Sequence, residues 1–297
     1  MPKFTNEILR IGTLTAPSAA RVKALLPLGF ESFQLHCGDS VLALDLKKTA
    51  LEIKEVLGDS GVIISALGVY GNPLESGPKD LETLKSFELL IDNAKHFGCD
   101  IVCGFAGRLR GKTIEESIGR YKEVFGPLAK RAKDNGVRIA FENCEMGGTW
   151  KSGDWNIAIT PAAWELMFDA LPADNIGLQW EPAHQLVKLI DPIPQLRKWV
   201  KKVFNLHGKD ATVCHDIIRE HGIAGPKAFA YHRTPGFGDS NWADIITILR
   251  QNDYKGSIDI EGWHDPVYKD DLEMTGQVHA LNYLKFCRGG SYVKDPV

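Results

Sequence analysis

The chain alternates eight times between a short apolar run and a longer segment with helical periodicity. A short apolar run is typical of a buried parallel strand, and apolar residues recurring about every 3.6 positions are typical of a helix that packs on it. We predict strands at 9–13, 32–36, 62–68, 100–105, 137–142, 176–181, 202–207 and 256–261. We predict helices at 17–28, 46–58, 79–97, 113–134, 161–171, 193–201, 241–252 and 271–287, with Thr113 and Glu116 as a capping box. Eight such units without a linker predict one (β/α)8 TIM barrel that forms a single domain over residues 1–297.

Composition and charge narrow the class of protein. No apolar run approaches the ~18 residues that a membrane span needs. The first ten residues also lack the apolar stretch of a signal peptide, so a cytoplasmic location is predicted. A net charge of −3 provides no attraction for nucleic acid or an anionic membrane, which favours a small-molecule substrate. A homo-oligomer is compatible with this composition.

The six cysteines have neither the paired spacing of a zinc site nor the density of a disulfide scaffold. We expect them to be reduced: Cys37, Cys99, Cys103, Cys144, Cys214 and Cys287.

Four residues with metal-binding side chains close the last four predicted strands: Glu142, Glu181, His207 and Glu261. A carboxylate at the end of a buried strand is unfavourable unless it is paired or binds a cation. The carboxyl ends of barrel strands meet at one mouth, so these groups should converge. Three carboxylates and one imidazole suit a hard to borderline ion, with Mn²⁺ preferred and Mg²⁺, Co²⁺ or Zn²⁺ as alternatives. Taken singly, each residue could instead be an ordinary ion-paired glutamate or a hydrogen-bonded core histidine.

Two connections are longer than a barrel requires, and each follows a predicted ligand strand. They span residues 143–160 and 208–240. Long ordered loops at this end of a barrel usually build or cover a site, although each could also be a surface excursion.

Several motifs in the second half of the chain resemble one family. They are the pair Glu142-Asn143, the acid-x-x-His of 181–184, the His-x-Lys-Asp of 207–210, the Pro-Gly-Phe-Gly of 235–238 and the run 254–261. The chain thereby resembles the xylose isomerase-like TIM barrels of the sugar phosphate isomerase/epimerase type, most strongly over residues 137–264. Ketose 3-epimerases of this group bind one divalent metal through Glu, Asp, His and Glu. The resemblance implies that role for Glu142, Glu181, His207 and Glu261, with Glu181 departing from the usual Asp.

The resemblance also implies a reaction. Glu142 and Glu261 would take and return a proton on opposite faces of the carbon next to a carbonyl, and His184 would steady a substrate oxygen. The spacing of Glu145 is not a clear match to a further glutamate that these epimerases carry. Isomerisation or epimerisation is the leading hypothesis. Elimination, as in inosose dehydratases or lyases acting on 3-keto-glycosides, begins with the same proton abstraction and stays open. A barrel that only binds a sugar would be expected to lack a ligand, and none of the four is missing.

A DNA-cleaving alternative exists in the same superfamily, because endonuclease IV binds three zinc ions. His184 and His232 match zinc-binding positions of that enzyme. Other ligands are absent from the sequence, which has Ala230, Tyr70, Asn72 and Arg108 where acids or histidines would be needed. The net negative charge also disfavours binding to a phosphate backbone.

The remaining candidates for substrate binding follow other predicted strands or lie in the long loop. We predict that the substrate cup includes His36, Asn72, Arg108, Trp263 or His264, and His232. Asp210 would orient His207 or reach a sugar hydroxyl.

Overall fold

A computed structural model describes residues 9–290 and 294–296. Eight parallel strands close into a barrel in the order β1-β10-β7-β6-β5-β4-β3-β2. The strands are β1 Arg10–Thr15, β2 Ser32–His36, β3 Ile63–Val69, β4 Ile101–Gly104, β5 Arg138–Glu142, β6 Ile176–Trp180, β7 Val203–Gly208 and β10 Ser257–Ile260. The predicted (β/α)8 barrel is therefore confirmed.

Eight of the ten α-helices in the described part of the chain lie close to the predicted positions, whereas the short helices at 183–186 and 215–221 were not predicted. The ten helices are α1 Ala19–Leu25, α2 Leu46–Leu57, α3 Pro78–Asn93, α4 Ile114–Asp134, α5 Pro161–Ala170, α6 Ala183–Leu186, α7 Pro192–Trp199, α8 His215–His221, α9 Trp242–Gln251 and α10 Glu273–Arg288. The predicted capping box of α4 is confirmed, because Thr113 N donates to Glu116 Oε2 and Glu116 N donates to Thr113 Oγ1. None of the helices in the described part of the chain is long and apolar enough to cross a membrane.

Successive side chains along a strand lie in two different environments. Side chains such as Phe33, Leu35 and Phe141 are buried in the main apolar core with the surrounding helices. Their neighbours along the strands, such as Gln34 and Glu142, contact polar residues of other strands. This alternation follows from the two-residue period of a strand, and it directs the polar side chains of several strands toward one another.

The loop predicted at 208–240 contains a small antiparallel hairpin, which the sequence did not predict. It pairs β8 Asp210–Val213 with β9 Ala230–Arg233, and α8 lies between these strands. Each strand has only four residues, too few for a clear alternating pattern. The carboxylate of Asp210 anchors the hairpin by accepting hydrogen bonds from Ser240 N and Trp242 Nε1, both at 3.0 Å.

Candidate metal centre

The four predicted ligands converge at the carboxyl end of the barrel. Glu142 ends β5, His207 lies in β7, and Glu181 and Glu261 directly follow β6 and β10. One donor atom from each residue lies within 4.8 Å of the others, and all four side chains are buried. The neighbouring strands β5, β6, β7 and β10 thus bring together residues that are up to 119 positions apart in sequence.

The donor atoms of this cluster fit a bound cation. His207 Nδ1 lies 2.9 Å from Glu142 Oε1 and 3.2 Å from Glu261 Oε2. His207 Nδ1, Glu181 Oε2 and Glu261 Oε2 are buried and have no aligned hydrogen-bond partner among the described residues. Unsatisfied buried acceptors are unfavourable, and a divalent cation among them would satisfy several at once. The cluster could therefore bind a divalent metal.

In the absence of a cation, bound protons offset part of the negative charge of the three carboxylates. Burial would lower the pKa of His207, but the adjacent carboxylates of Glu142 and Glu261 raise that pKa to about 10. Burial raises the pKa of Glu142, although the contact with His207 opposes the rise. A metal ion entering the cluster would replace the proton on His207 Nδ1.

Lys209 is a member of the site that the sequence analysis did not assign. Its Nζ lies 3.0 Å from Glu261 Oε1, and His264 Nε2 lies 3.1 Å from the same oxygen. Burial acts to raise the pKa of Glu261, but Lys209 and the two histidines that contact Glu261 hold it well below its usual value. The spacing of His207 and Lys209 was the available signal, since Lys209 directly follows β7 and residues two apart in an extended segment share a face.

His184 bridges two carboxylates beside the cluster. Its Nδ1 lies 2.7 Å from Glu145 Oε2, and its Nε2 lies 2.7 Å from Glu181 Oε1. Burial lowers the pKa of His184, yet the Glu181 carboxylate raises it well above the usual value. Burial likewise raises the pKa of Glu145, but the hydrogen bond with His184 brings it down to about 2. His184 is thus held as an imidazolium that fixes Glu181, and Glu145 belongs to the site despite its unclear spacing.

A cavity of about 660 Å³ opens onto the cluster. Part of its wall is a row of rings: His36 stacks on Tyr70 with centroids 4.8 Å apart, and Phe105 meets Tyr70 edge-on at 5.4 Å. Trp263 continues the row, with its ring 6.0 Å from that of His36. Burial lowers the pKa of His36, so this wall is uncharged at neutral pH. His36 and Trp263 therefore lie where substrate-binding residues were predicted.

His232, carried by β9, lies over the same cavity but outside the four-residue cluster. Its ring is 4.8 Å from that of His184. Burial and the nearby charges of Lys209 and His184 lower the pKa of His232 to about 4, so its imidazole is neutral.

Three predicted substrate-binding residues lie away from the cavity. Arg108 is buried and donates to the carbonyl oxygens of residues 112, 149 and 150. Asn72 donates to the carbonyl oxygens of Arg108 and Asp154, so both residues order the long loop after β5. Asp210 anchors the hairpin, and its carboxylate accepts hydrogen bonds from Ala211, Ser240 and Trp242 rather than from His207. The polar atoms of these three side chains are hydrogen-bonded to other parts of the protein, so we do not propose any of them as a substrate contact.

Comparison with known proteins places this geometry in a family. Inosose dehydratase from Bacillus cereus is 25% identical over 175 residues, which is 58% of this chain and 54% of that protein, so the match spans about half the relative's length. A xylose isomerase domain protein from Planctomyces limnophilus superposes with a TM-score of 0.73 and 18% identity, covering 95% of this chain and 98% of that one. The 3-keto-D-glucoside 4-epimerase of E. coli superposes with a TM-score of 0.70 and 13% identity, covering 94% and 100%. The profile of the xylose isomerase-like TIM barrel family matches residues 22–285, and the chain belongs to that family.

Proposed function

We propose that the protein is a divalent-metal-dependent enzyme that removes a proton from the carbon next to the carbonyl group of a keto-sugar or keto-polyol. The observation that carries the proposal is the buried cluster of three carboxylates and one imidazole facing the cavity. A cation held by Glu142, Glu181, His207 and Glu261 would stabilise the negative charge that develops on the carbonyl oxygen. Because most of the donor atoms are carboxylate oxygens, Mn²⁺ is the preferred ion, with Mg²⁺, Co²⁺ and Zn²⁺ as alternatives.

Glu142 and Glu261 are the candidate acid/base residues, because a carboxylate oxygen of each lies within 3.2 Å of His207 Nδ1 and both residues line the cavity. They are not equivalent. Glu261 is held by Lys209 and His264, whereas His207 provides the one ion pair of Glu142 among the described residues. A carboxylate beside an ammonium group gains a proton less readily. We therefore assign Glu142 as the group that takes the proton.

Isomerisation or epimerisation is the leading outcome, since two glutamates that could exchange a proton, Glu142 and Glu261, line the same cavity. The unequal pair gives support to a second candidate, elimination. Glu142 would remove the proton and return it to the departing oxygen as the carbon–oxygen bond breaks, so that water or an alcohol leaves, and the Lys209 ammonium could hydrogen-bond that oxygen. The match to inosose dehydratase, whose name denotes loss of water from a cyclic keto-polyol, points the same way.

The substrate is proposed to be uncharged. Lys209 is the one lysine among the described residues lining the cavity, and no arginine accompanies it. Its ammonium is already paired with Glu261. A phosphate or carboxylate group would find no free cationic side chain there and would meet the carboxylates of the cluster.

Solvent exchange tests this function. The manganese-loaded protein is incubated in heavy water with ketoses, inososes and 3-keto-glucosides, and the carbon-bound protons are followed by NMR. Deuterium uptake with an intact skeleton supports epimerisation or isomerisation, and uptake with loss of a hydroxyl or aglycone supports elimination. Absence of uptake with every substrate class would contradict the proposal. Cleavage of abasic DNA that is lost in a Glu261→Gln variant would instead support the nuclease alternative.

A further inference from the structure

A buried carboxylate in the barrel interior begins a chain of hydrogen bonds that ends at His207, a member of the four-residue cluster. Asp259 on β10 is fully buried and accepts hydrogen bonds from Ser32 Oγ and Ser65 Oγ, both at 2.7 Å. It accepts a third from Asn205 Nδ2 at 3.1 Å. A carboxylate has no hydrogen to donate, so it holds the amide of Asn205 with its NH₂ group toward Asp259 and its oxygen away.

The next two side chains take their orientation from Asn205. Gln179 Nε2 donates to Asn205 Oδ1 and to Gln34 Oε1, both at 2.8 Å. Tyr70 closes a ring with the two glutamines, because Gln34 Nε2 donates to Tyr70 OH at 2.5 Å and Tyr70 OH donates to Gln179 Oε1 at 2.8 Å. Turning the Gln34 amide round would set its NH₂ group against that of Gln179. Relieving this clash would require Gln179 and Asn205 to turn as well, with the Asn205 oxygen against the Asp259 carboxylate.

The chain ends at a ligand of the cluster. This arrangement turns the amide oxygen of Gln34 toward His207. Gln34 Oε1 lies 3.1 Å from His207 Nε2. A carbonyl oxygen only accepts, so His207 carries a hydrogen on Nε2. In a neutral imidazole the other nitrogen then has a free lone pair, and this nitrogen, Nδ1, faces Glu142 and Glu261.

We propose that Asp259, Asn205, Gln179 and Gln34 act as positioning residues that fix the tautomer of His207 so that Nδ1 binds the metal. The inference rests on the proposed metal-dependent function. All four side chains are fully buried, so water cannot replace a lost partner without rearrangement. Partners that orient a metal-binding histidine typically change metal affinity by ~10–100-fold when they are removed.

We call the hydrogen-bonded series of Asp259, Asn205, Gln179 and Gln34 the relay. Two substitutions in it are tested through metal affinity. Gln34→Met keeps the shape but removes the acceptor for His207. Asp259→Asn adds a donor and lets the whole amide chain reverse. Each is expected to raise the dissociation constant for Mn²⁺ by ~10–100-fold, measured by titration of the metal-stripped full chain. Gln277→Met and Asp210→Asn are matched controls, because both residues are buried and hydrogen-bonded but lie outside the relay. Both controls should bind Mn²⁺ as the wild type does.

A second readout reports the tautomer directly. With ¹⁵N-labelled histidine and Zn²⁺ bound, NMR of the wild type should show hydrogen on Nε2 of His207 and metal on Nδ1, with the signal assigned by its loss in His207→Asn. Metal bound through Nε2 would overturn the relay, as would unchanged affinity in both Gln34→Met and Asp259→Asn. A wild type that binds no divalent cation would overturn both the relay and the proposed function. If the wild type binds metal and both variants bind it more weakly, but the wild type turns over no substrate, only the proposed function is overturned.

Discussion

The half of the barrel mouth formed by β5, β6, β7 and β10 is built from charged groups, whereas the half formed by β1 to β4 presents mainly rings and apolar side chains. The first half holds the four-residue cluster of Glu142, Glu181, His207 and Glu261 together with Lys209 and His184. The second half contributes the row of His36, Tyr70 and Phe105, with Asp39 as a charged residue of that half among those lining the cavity. This division suggests that one half performs proton transfer while the other recognises the shape of the substrate.

The largest effect is expected from Glu142→Gln in the charged half. Loss of the proton acceptor should lower turnover by ~10²–10⁴-fold, and loss of a carboxylate ligand should weaken metal binding. Turnover and metal content of the purified variant provide the measurement. Glu123→Gln, at an exposed position of α4, is the matched control and should behave as wild type. Retention of near-normal turnover in Glu142→Gln would remove the functional contrast between the two halves.

A smaller effect is expected from Lys209→Met, measured as the free energy of unfolding of the metal-free protein. Removing one partner of a buried ion pair typically destabilises by ~3–5 kcal/mol, and here by less, because His207 and His264 still contact Glu261. Adding Glu261→Gln should restore part of the loss, since the uncompensated charge disappears. A double variant as unstable as the sum of its single variants would show that the two groups do not interact.

Trp263, which follows β10 and extends the row of rings beside His36, is the next test: Trp263→Ala should raise KM and leave kcat within about twofold. An aromatic contact with the substrate contributes ~0.5–1.5 kcal/mol, which corresponds to roughly a 2–10-fold change in KM. Metal content should not change. Trp155→Ala is the matched control, because Trp155 is exposed and does not line the cavity. A large fall in kcat for Trp263→Ala would mean that the row of rings takes part in the chemistry.

The smallest effect concerns Glu31, far from the mouth, which pairs with Arg288 and ties α10 to the start of β2. Burial opposes ionisation, but Arg288 and Lys285 lower the pKa of Glu31 from its ordinary value of 4.5. The lowered pKa means that this contribution is present above pH 4.5 and is lost as the pH falls through the folded-state pKa below it. Glu31→Gln should therefore reduce the free energy of unfolding at pH 7 by about 1 kcal/mol, with a smaller difference from wild type at pH 3. Denaturant unfolding at the two pH values measures this, and a pH-independent difference would contradict it.

Local patterning in the sequence was enough to predict the barrel and the convergence of the four residues that could bind a metal. Alternation of apolar runs with helical periodicity is a local property of the sequence. The carboxyl ends of all strands in a parallel barrel lie at the same face. Glu142, Glu181, His207 and Glu261 could therefore be grouped before any contact was known.

Only the tertiary structure decided which other polar residues join the site. Arg108 and Asn72 follow strands just as His36 does, yet their side chains turn into the loop after β5. Lys209 could be placed on the same face as His207 from its spacing, but its partner lies 52 positions away. The ring of Gln34, Tyr70 and Gln179 joins three strands or strand ends and left no local pattern. Side-chain partners across a closed barrel depend on strand register and packing, and a linear pattern records neither.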